Sequence, residues 1–304
     1  MTERRNQTRS VPGRAGVNSI SVIHLRDVLA GGLFAAAACI SVLAVALICV
    51  FLFANGIPGM VRIGVLDFIT GTRWKPGSNL YGIMPMILGS LYVTAGALII
   101  GVPAGLLTAI FMSRFAPKYV LKLMKPAVSL LAGIPSVVFG FFGLVVIVPF
   151  IREIFGGSGS SLLAACVLLG MMILPTIITV SESALNTVPQ SYYEGALALG
   201  ATHERAVFRV VLPAAKSGVT ASVILGMGRA IGEAMAVMMV AGNRPVIPDS
   251  LVKGVRTLTG NIVMEMGYAA DLHRDALIAT AVVLFVFILN TNMLFSVLKR
   301  RAGI

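Results

Sequence analysis

Residues 28–53 read VLAGGLFAAAACISVLAVALICVFLF, 26 residues without a charged side chain. About 20 mostly apolar residues in a helix, each rising 1.5 Å, cross the hydrocarbon of a bilayer. This stretch is long enough to do so. It also exceeds the apolar core of a cleavable signal peptide, which runs to about 7–15 residues, so it is read as a retained first span. Five further apolar runs follow, at 86–112, 127–150, 161–180, 217–241 and 276–298. Gly, Pro and Ser interrupt the third and fifth, which membrane helices tolerate when neighbours satisfy the freed backbone groups. The pattern predicts an all-α integral membrane protein with six transmembrane helices, made of a basic N-terminal arm at 1–27 and a spanning domain at 28–304.

Composition agrees. The 304 residues are 57% hydrophobic and only 12% charged, where a soluble domain carries about a quarter charged residues. The net charge of +12 does not read as nucleic-acid binding, because no basic stripe is interleaved with aromatics. Most Lys and Arg lie between the apolar runs, where they set orientation. The arm, the loops 113–126 and 181–216 and the C-terminal tail together hold fifteen; the loops 54–85, 151–160 and 242–275 hold eight; Arg229 lies within a span. The excess predicts that both termini and the 181–216 segment are cytoplasmic, with Lys118, Lys122 and Lys125 and then Lys299, Arg300 and Arg301 as the densest markers. Cys39, Cys49 and Cys166 sit inside apolar runs with no paired or metal-like spacing, and His24, His203 and His273 are scattered, so no metal site is expected.

The turn Gly156-Gly157-Ser158-Gly159-Ser160-Ser161 lacks the Lys of a phosphate-cradling loop, and no Walker-type loop occurs elsewhere. Any ATP used by this protein is therefore hydrolysed on another chain, and no cofactor is expected on this one.

The segment 181–216 is long for a simple connection. Two helices are expected in it: one from Ser191, ended by Gly200 in a C-cap position, and one over 202–211, ended by Leu212-Pro213. Here the chain resembles ABC importer permeases, whose loop motif is Glu-Ala-Ala, three residues, Gly, nine residues, then Ile-x-Leu-Pro. Glu194, Gly195 and Ala196 match its start, Gly200 its glycine, and Val210, Leu212 and Pro213 its end. Gly195 for Ala and Val210 for Ile are the departures. The resemblance implies a type I-like permease fold in which these residues form coupling helices that dock in a groove of an ATPase subunit. Further stretches, LAGIPSVVFGFFGL (131–144), ILPTIITVSESAL (173–185), LGMGRAIGEAMAV (225–237) and GTRWKPGSNLYGIMP (71–85), resemble phosphate permeases of the Pst system, PstC type. That implies a phosphate substrate, a PstA-like second permease subunit, two copies of a PstB-like ATPase, an extracytoplasmic phosphate-binding protein and a bacterial inner-membrane location.

Arg229 and Glu233 stand out on physical grounds, because a charge at the bilayer centre costs at least about 2.5–3.5 kcal/mol. Their i, i+4 spacing predicts a shared helix face and an ion pair. Gly228 and Gly232 beside them, with Ala236, form a small-residue stripe that admits close approach. Two readings are open: a phosphate pathway, in which the planar Arg229 fork meets phosphate oxygens and Glu233 limits how tightly they are held, or a structural pair fixing helix packing. Thr176, Thr179 and Ser181 are expected to bond their own helix backbone. Pro103, Pro135, Pro149 and Pro175 are expected as kinks, Asn290, Thr291 and Asn292 as bonds to a neighbouring helix, and Trp74 and Tyr81 as outer-interface anchors. The outer segments 54–85 and 242–275 are expected to meet the binding protein, with a short helix in 256–270.

Two other function classes compete. An ion-gradient-driven secondary transporter of a small anion would show inverted repeats and coupling-ion ligands, and neither is seen. An intramembrane serine protease would need a His base in a span, and none of the three His falls in one. Co-purification with a soluble ATPase separates the permease from both.

Overall fold

The structure, a computed structural model, describes the backbone of residues 16–301 and the side chains of residues 29–293 and Val297. The basic side chains of the 1–27 arm and of Lys299, Arg300 and Arg301 lie outside the described residues. The chain divides into two compact units, Met1–Phe51 and Leu52–Ile304. In the first, helix α1 (Gly16–Ile63) presents Leu33, Phe34, Val42 and Val45 to the outside, as a helix whose solvent is lipid can.

The sequence sets six spans, and the structure corrects three of them. The first does not end at 53. Helix α1 continues to Ile63, through Gly56, Pro58 and Gly59, because those glycines let it lie against the last span. A Cβ at Gly56 would fall 2.5 Å from Val282 Cγ2, and one at Gly59 would fall 2.8 Å from Asp275 Cβ. A short helix α2 (Val65–Thr70) and a two-residue hairpin, β1 (Trp74–Lys75) with β2 (Leu80–Tyr81), lead into α3 (Met84–Ile110). Helix α3 closes in a π-helical turn at Phe111–Phe115.

The third span is not 127–150. Residues Lys118–Gly133 form a separate amphipathic helix, α4, and the chain is extended at Ile134. A residue before proline avoids the helical region, so Ile134-Pro135 produces a break and not a kink. The span proper is Ser136–Phe155, built from α5 (Ser136–Phe142), a π-helical stretch and α6 (Val148–Phe155). The turn with Gly156, Gly157 and Gly159 at positive φ feeds α7 (Leu162–Thr187), which Ser161 caps by accepting from the Ala164 amide.

Helix α7 is the centre of the second unit, packed between α3 and a later helix, α11 (Lys216–Gly232). Lipid is as apolar as leucine, so helices in a membrane gain from close packing more than from burial. The α3–α7 crossing uses this: a Cβ at Gly101 would come within 2.8 Å of the Gly170 carbonyl oxygen. Ser181 bonds across helices, not to its own backbone: its Oγ lies 2.7 Å from Ser222 Oγ on α11. Lys125 on α4 reaches Glu182 on α7 at 3.0 Å.

After α7 come α8 (Gln190–Ala198), α9 (His203–Ala206), a π-helical turn at Val207–Val211 and α10 (Leu212–Ala214). Pro213 lies in the first turn of α10 and does not end a helix, because the wide turn before it leaves its missing N–H unneeded. The chain then bends by 70° into α11. The fifth span is not a continuous 217–241 helix. It breaks after Gly232 and resumes as α12 (Met235–Val240). The short helix expected in 256–270 is α13 (Leu258–Glu265). The last span belongs to α14 (Asp271–Arg301), where Thr291 bonds its own helix at the Phe287 carbonyl and not a neighbour.

Candidate functional site: a broken span and a motif segment

Helix α11 buries one side and leaves another open. Ser222, Gly226, Met227, Ala230 and Ile231 face inward, and Gly226 meets Ile177 and Ile173 of α7. On the other side Leu225, Arg229 and Gly232 are exposed, at helical spacing. Apart from the helix's own backbone, no atom of the described residues lies within 4 Å of where a Cβ would stand at Gly228 or Gly232. Two glycines in the last turns weaken the helix, by about 1 kcal/mol each relative to alanine, and it stops at Gly232.

The break changes the expected relation of the two intramembrane charges. Glu233 is extended, with φ −74° and ψ 126°, so the i, i+4 spacing does not place it on the Arg229 face. Its carboxylate turns the other way and accepts from the Ala236 amide at 3.1 Å, capping α12. Among the described residues Arg229 makes no ion pair with Glu233 or any other group. The Glu233 carbonyl, freed by the break, accepts from the Thr259 hydroxyl at 3.0 Å. Ser90, Thr94, Thr257 and Thr259 line a narrow gap beside Glu233. Gly228, Arg229, Gly232 and Glu233 are thus brought to one place, as a break with an open cationic face.

At one end of the bundle sits the segment that carries the Glu194–Pro213 motif. Helix α8 has no buried residue. Glu194 is exposed, Gly195 has open space around it, and Leu199 is 91% exposed. The helix ends in a Schellman motif: the Gly200 amide donates to the Leu197 carbonyl and the Ala201 amide to the Ala196 carbonyl, with Gly200 at φ +83°. Thr202 then caps α9. The Glu204 carboxyl is held below its usual pKa by its own backbone amide and by Thr202.

This segment is fastened from below. Tyr193 Oη lies 2.7 Å from His203 Nδ1, and the Phe115 ring packs on His203 at 4.5 Å. Arg114 donates to the Leu185 carbonyl at 2.8 Å and to Gln190 Oε1. Ala109, Ile110, Leu185, Val188, Val207, Val211 and Ala215 form a cluster between these parts. Glu194 through Ala196, Gly200, Leu212 and Pro213 therefore lie in one unit that rests on the ends of α3 and α7. His203 and Arg114 carry no motif of their own, and the sequence does not single them out.

The opposite end holds a polar network that the sequence also misses. Glu265, 6% exposed, accepts from Trp74 Nε1 at 2.8 Å, from Arg256 Nη1 at 2.6 Å and from His273 Nε2 at 2.8 Å. Arg256 also reaches the Asn243 carbonyl and Asn261 Oδ1, each at 3.0 Å. Trp74 and Tyr81 are buried core residues here, packed edge to face, and not interface anchors. Burial raises the Tyr81 pKa. Among the described residues no three His, Cys, Asp or Glu side chains gather as a metal-ligand set.

Residues 101–303 match the family described as the binding-protein-dependent transport system inner membrane component. The chain belongs to this family. It is an ABC importer permease subunit, and it is similar to named members. The probable ABC transporter permease protein YqgH of Bacillus subtilis is 41% identical over 86% of this chain and 88% of its own. The phosphate transport system permease proteins PstC of Mesorhizobium japonicum and Haemophilus influenzae are 33% and 34% identical. They cover 79% and 72% of this permease, and 79% and 76% of their own lengths. Among solved structures, the fold is shared with the inward-facing MetNI methionine ABC transporter, at TM-score 0.55 and 22% identity over 75% of this chain and 99% of that one. A bacterial ABC transporter for import of the polysaccharide alginate matches at TM-score 0.59 and 15% identity, over 91% and 98%.

Proposed function

We propose that this chain is the permease subunit of an ATP-driven phosphate importer in a bacterial inner membrane, with both termini cytoplasmic. The single observation that carries the reading is Arg229. It is a guanidinium in a membrane span with no ion-pair partner among the described residues, on a stripe that the chain leaves open, flanked by two glycines with free space. A planar fork of N–H donors suits the oxygens of a compact anion. An isolated charge in a span is expensive, so its retention without a partner fits a residue that meets a charged cargo. The likeness to two PstC proteins supports phosphate as that cargo.

The other parts follow from this reading. The open α11 face is completed by a second, PstA-like permease subunit, so that the pathway runs between the two. Helix α8 and its Gly200 turn dock in a groove of a PstB-like ATPase, two copies serving the pair, in the manner of a short helix laid into a partner's groove. The hairpin and the 242–275 segment meet an extracytoplasmic phosphate-binding protein. ATP is bound by the partner and not by this chain.

The test is uptake of radiolabelled phosphate by cells in which this chain is deleted and then restored, with a neutral solute as control. The expected result is loss on deletion and recovery on restoration. Unchanged phosphate uptake in the deletion strain, at low external phosphate and with other phosphate carriers removed, overturns the substrate. Failure of a soluble ATPase to co-purify with the chain in detergent overturns the ATP-driven class.

A further inference from the structure

The broken fifth span ends in a backbone carbonyl, that of Glu233, with no helical partner, and what satisfies it is 26 residues further along the chain: the Thr259 hydroxyl, at 3.0 Å. Thr259 is 7% exposed, and its position is fixed from the opposite direction. Its hydroxyl also lies 3.2 Å from Thr257 Oγ1, which caps α13 by accepting from the Gly260 amide. The Leu258 amide between them donates to Ser90 on α3 at 2.9 Å. One residue earlier, Arg256 is held by Glu265 at 2.6 Å. The strip 256–265 is thus bonded rigidly at the outer end of the bundle, and one side chain of it reaches into the membrane break beside Arg229. A helix interrupted at a glycine is free to swing unless its loose groups are held. The Glu233 side chain holds the next turn through the Ala236 amide, and the Thr259 bond ties the break to the outer strip.

We propose that Thr259 is a positioning residue for transport: its hydroxyl holds the Glu233 backbone, and thereby the break and the Arg229 face, in register with the outer 256–265 strip. Any movement of that strip when a binding protein docks reaches the pathway through this bond. The inference rests on the transport reading above, but not on which anion is carried. Thr259→Val keeps the shape and removes the hydroxyl; Thr259→Ser keeps the hydroxyl.

Two measurements on the full chain in its membrane test the proposal. The first is the kinetics of labelled phosphate uptake, expressed per membrane-inserted chain. Thr259→Val is expected to lower the maximal rate at least tenfold while the half-maximal concentration, set by the binding protein, stays within twofold. Thr259→Ser is expected to remain within threefold of the parent. The second does not depend on the cargo. A cysteine at Ala234, within the break, in a chain with Cys39, Cys49 and Cys166 replaced by Ala, is labelled with a membrane-impermeant thiol reagent. The labelling rate is expected to change at least fivefold with Thr259→Val and to be unchanged with Thr259→Ser. The proposal is overturned if Thr259→Val labels and transports like the parent, if Val and Ser are equally impaired, or if Thr259→Val does not accumulate in the membrane, which would make the residue a folding element. If the restored parent chain takes up no phosphate, the substrate reading fails instead, and the labelling contrast alone decides the role of Thr259.

Discussion

At the residue scale, the structure separates the two intramembrane charges. A structural pair would need Arg229 and Glu233 in contact, and Glu233 is instead committed to the Ala236 amide. Exchanging the two charges therefore has no bond to restore. Arg229→Ala is expected to reduce phosphate uptake about a hundredfold at normal membrane abundance. Arg229→Lys, which keeps the charge and loses the planar fork, should reduce it about tenfold, and the Arg229→Glu/Glu233→Arg exchange should remain inactive. Recovery of uptake by the exchange would return the pair to a structural role. Glu265 is the opposite kind of residue. Three donors converge on its buried carboxylate, and removing one partner of such a group costs about 3–5 kcal/mol. Glu265→Gln should lower the thermal midpoint of the purified chain markedly. Trp74→Phe, which removes one neutral donor, should cost about 1–3 kcal/mol. Equal midpoints for Glu265→Gln and the parent would show the network to be energetically idle.

At the element scale, Gly200 is the position where backbone geometry and proposed function meet most directly. Its φ of +83° is a left-handed conformation that costs an ordinary residue about 1–2 kcal/mol, and nothing surrounds its missing Cβ. Any effect of substitution there comes from conformation and not from a clash. Gly200→Leu is expected to lower uptake at least tenfold, whereas Gly200→Asn, which tolerates the left-handed region, should keep most of it. If Leu and Asn variants transport alike, the turn does not need its geometry. This C-cap was legible in the sequence because its signal is local, one glycine after a helical run, and the same holds for the six apolar runs. The break at Ile134-Pro135 was half legible: the proline was visible, but whether it bends or ends a helix depends on what packs beside it. The break at Glu233 was not legible. The i, i+4 spacing of Arg229 and Glu233 assumes an unbroken helix, and one of the groups that meets the freed backbone is Thr259, far along the sequence. The Glu265 network was invisible for the same reason, since Trp74 and Glu265 are 191 residues apart. Periodicity reports what lies within a few turns, and these contacts are made by the fold.

At the scale of the whole molecule, the proposed orientation rests on the distribution of charge along the chain. The arm, the loops 113–126 and 181–216 and the tail hold fifteen basic residues and the remaining loops eight, and we propose from this excess that the 181–216 segment is cytoplasmic. Two open positions report on the two ends. Gly77 lies in the outer hairpin turn with nothing within 4 Å of a Cβ, and Leu199 is 91% exposed at the end of α8. In a chain without its native cysteines, a cysteine at Gly77 should react with a membrane-impermeant reagent in intact spheroplasts, and a cysteine at Leu199 should react only in inside-out vesicles. The second position carries more information. A large apolar side chain almost fully exposed at the end of a helix with no buried residue is the feature expected of a docking surface. If α8 sits in an ATPase groove, the Leu199 position should be slow to label in freshly prepared inside-out vesicles. Its labelling should speed up at least fivefold once peripheral proteins are stripped with urea, while a cysteine at the exposed position Lys118, on α4, keeps its rate. Labelling of Leu199→Cys from the outside would invert the topology. Labelling that is fast before stripping and unchanged after it would place the ATPase contact elsewhere on the chain.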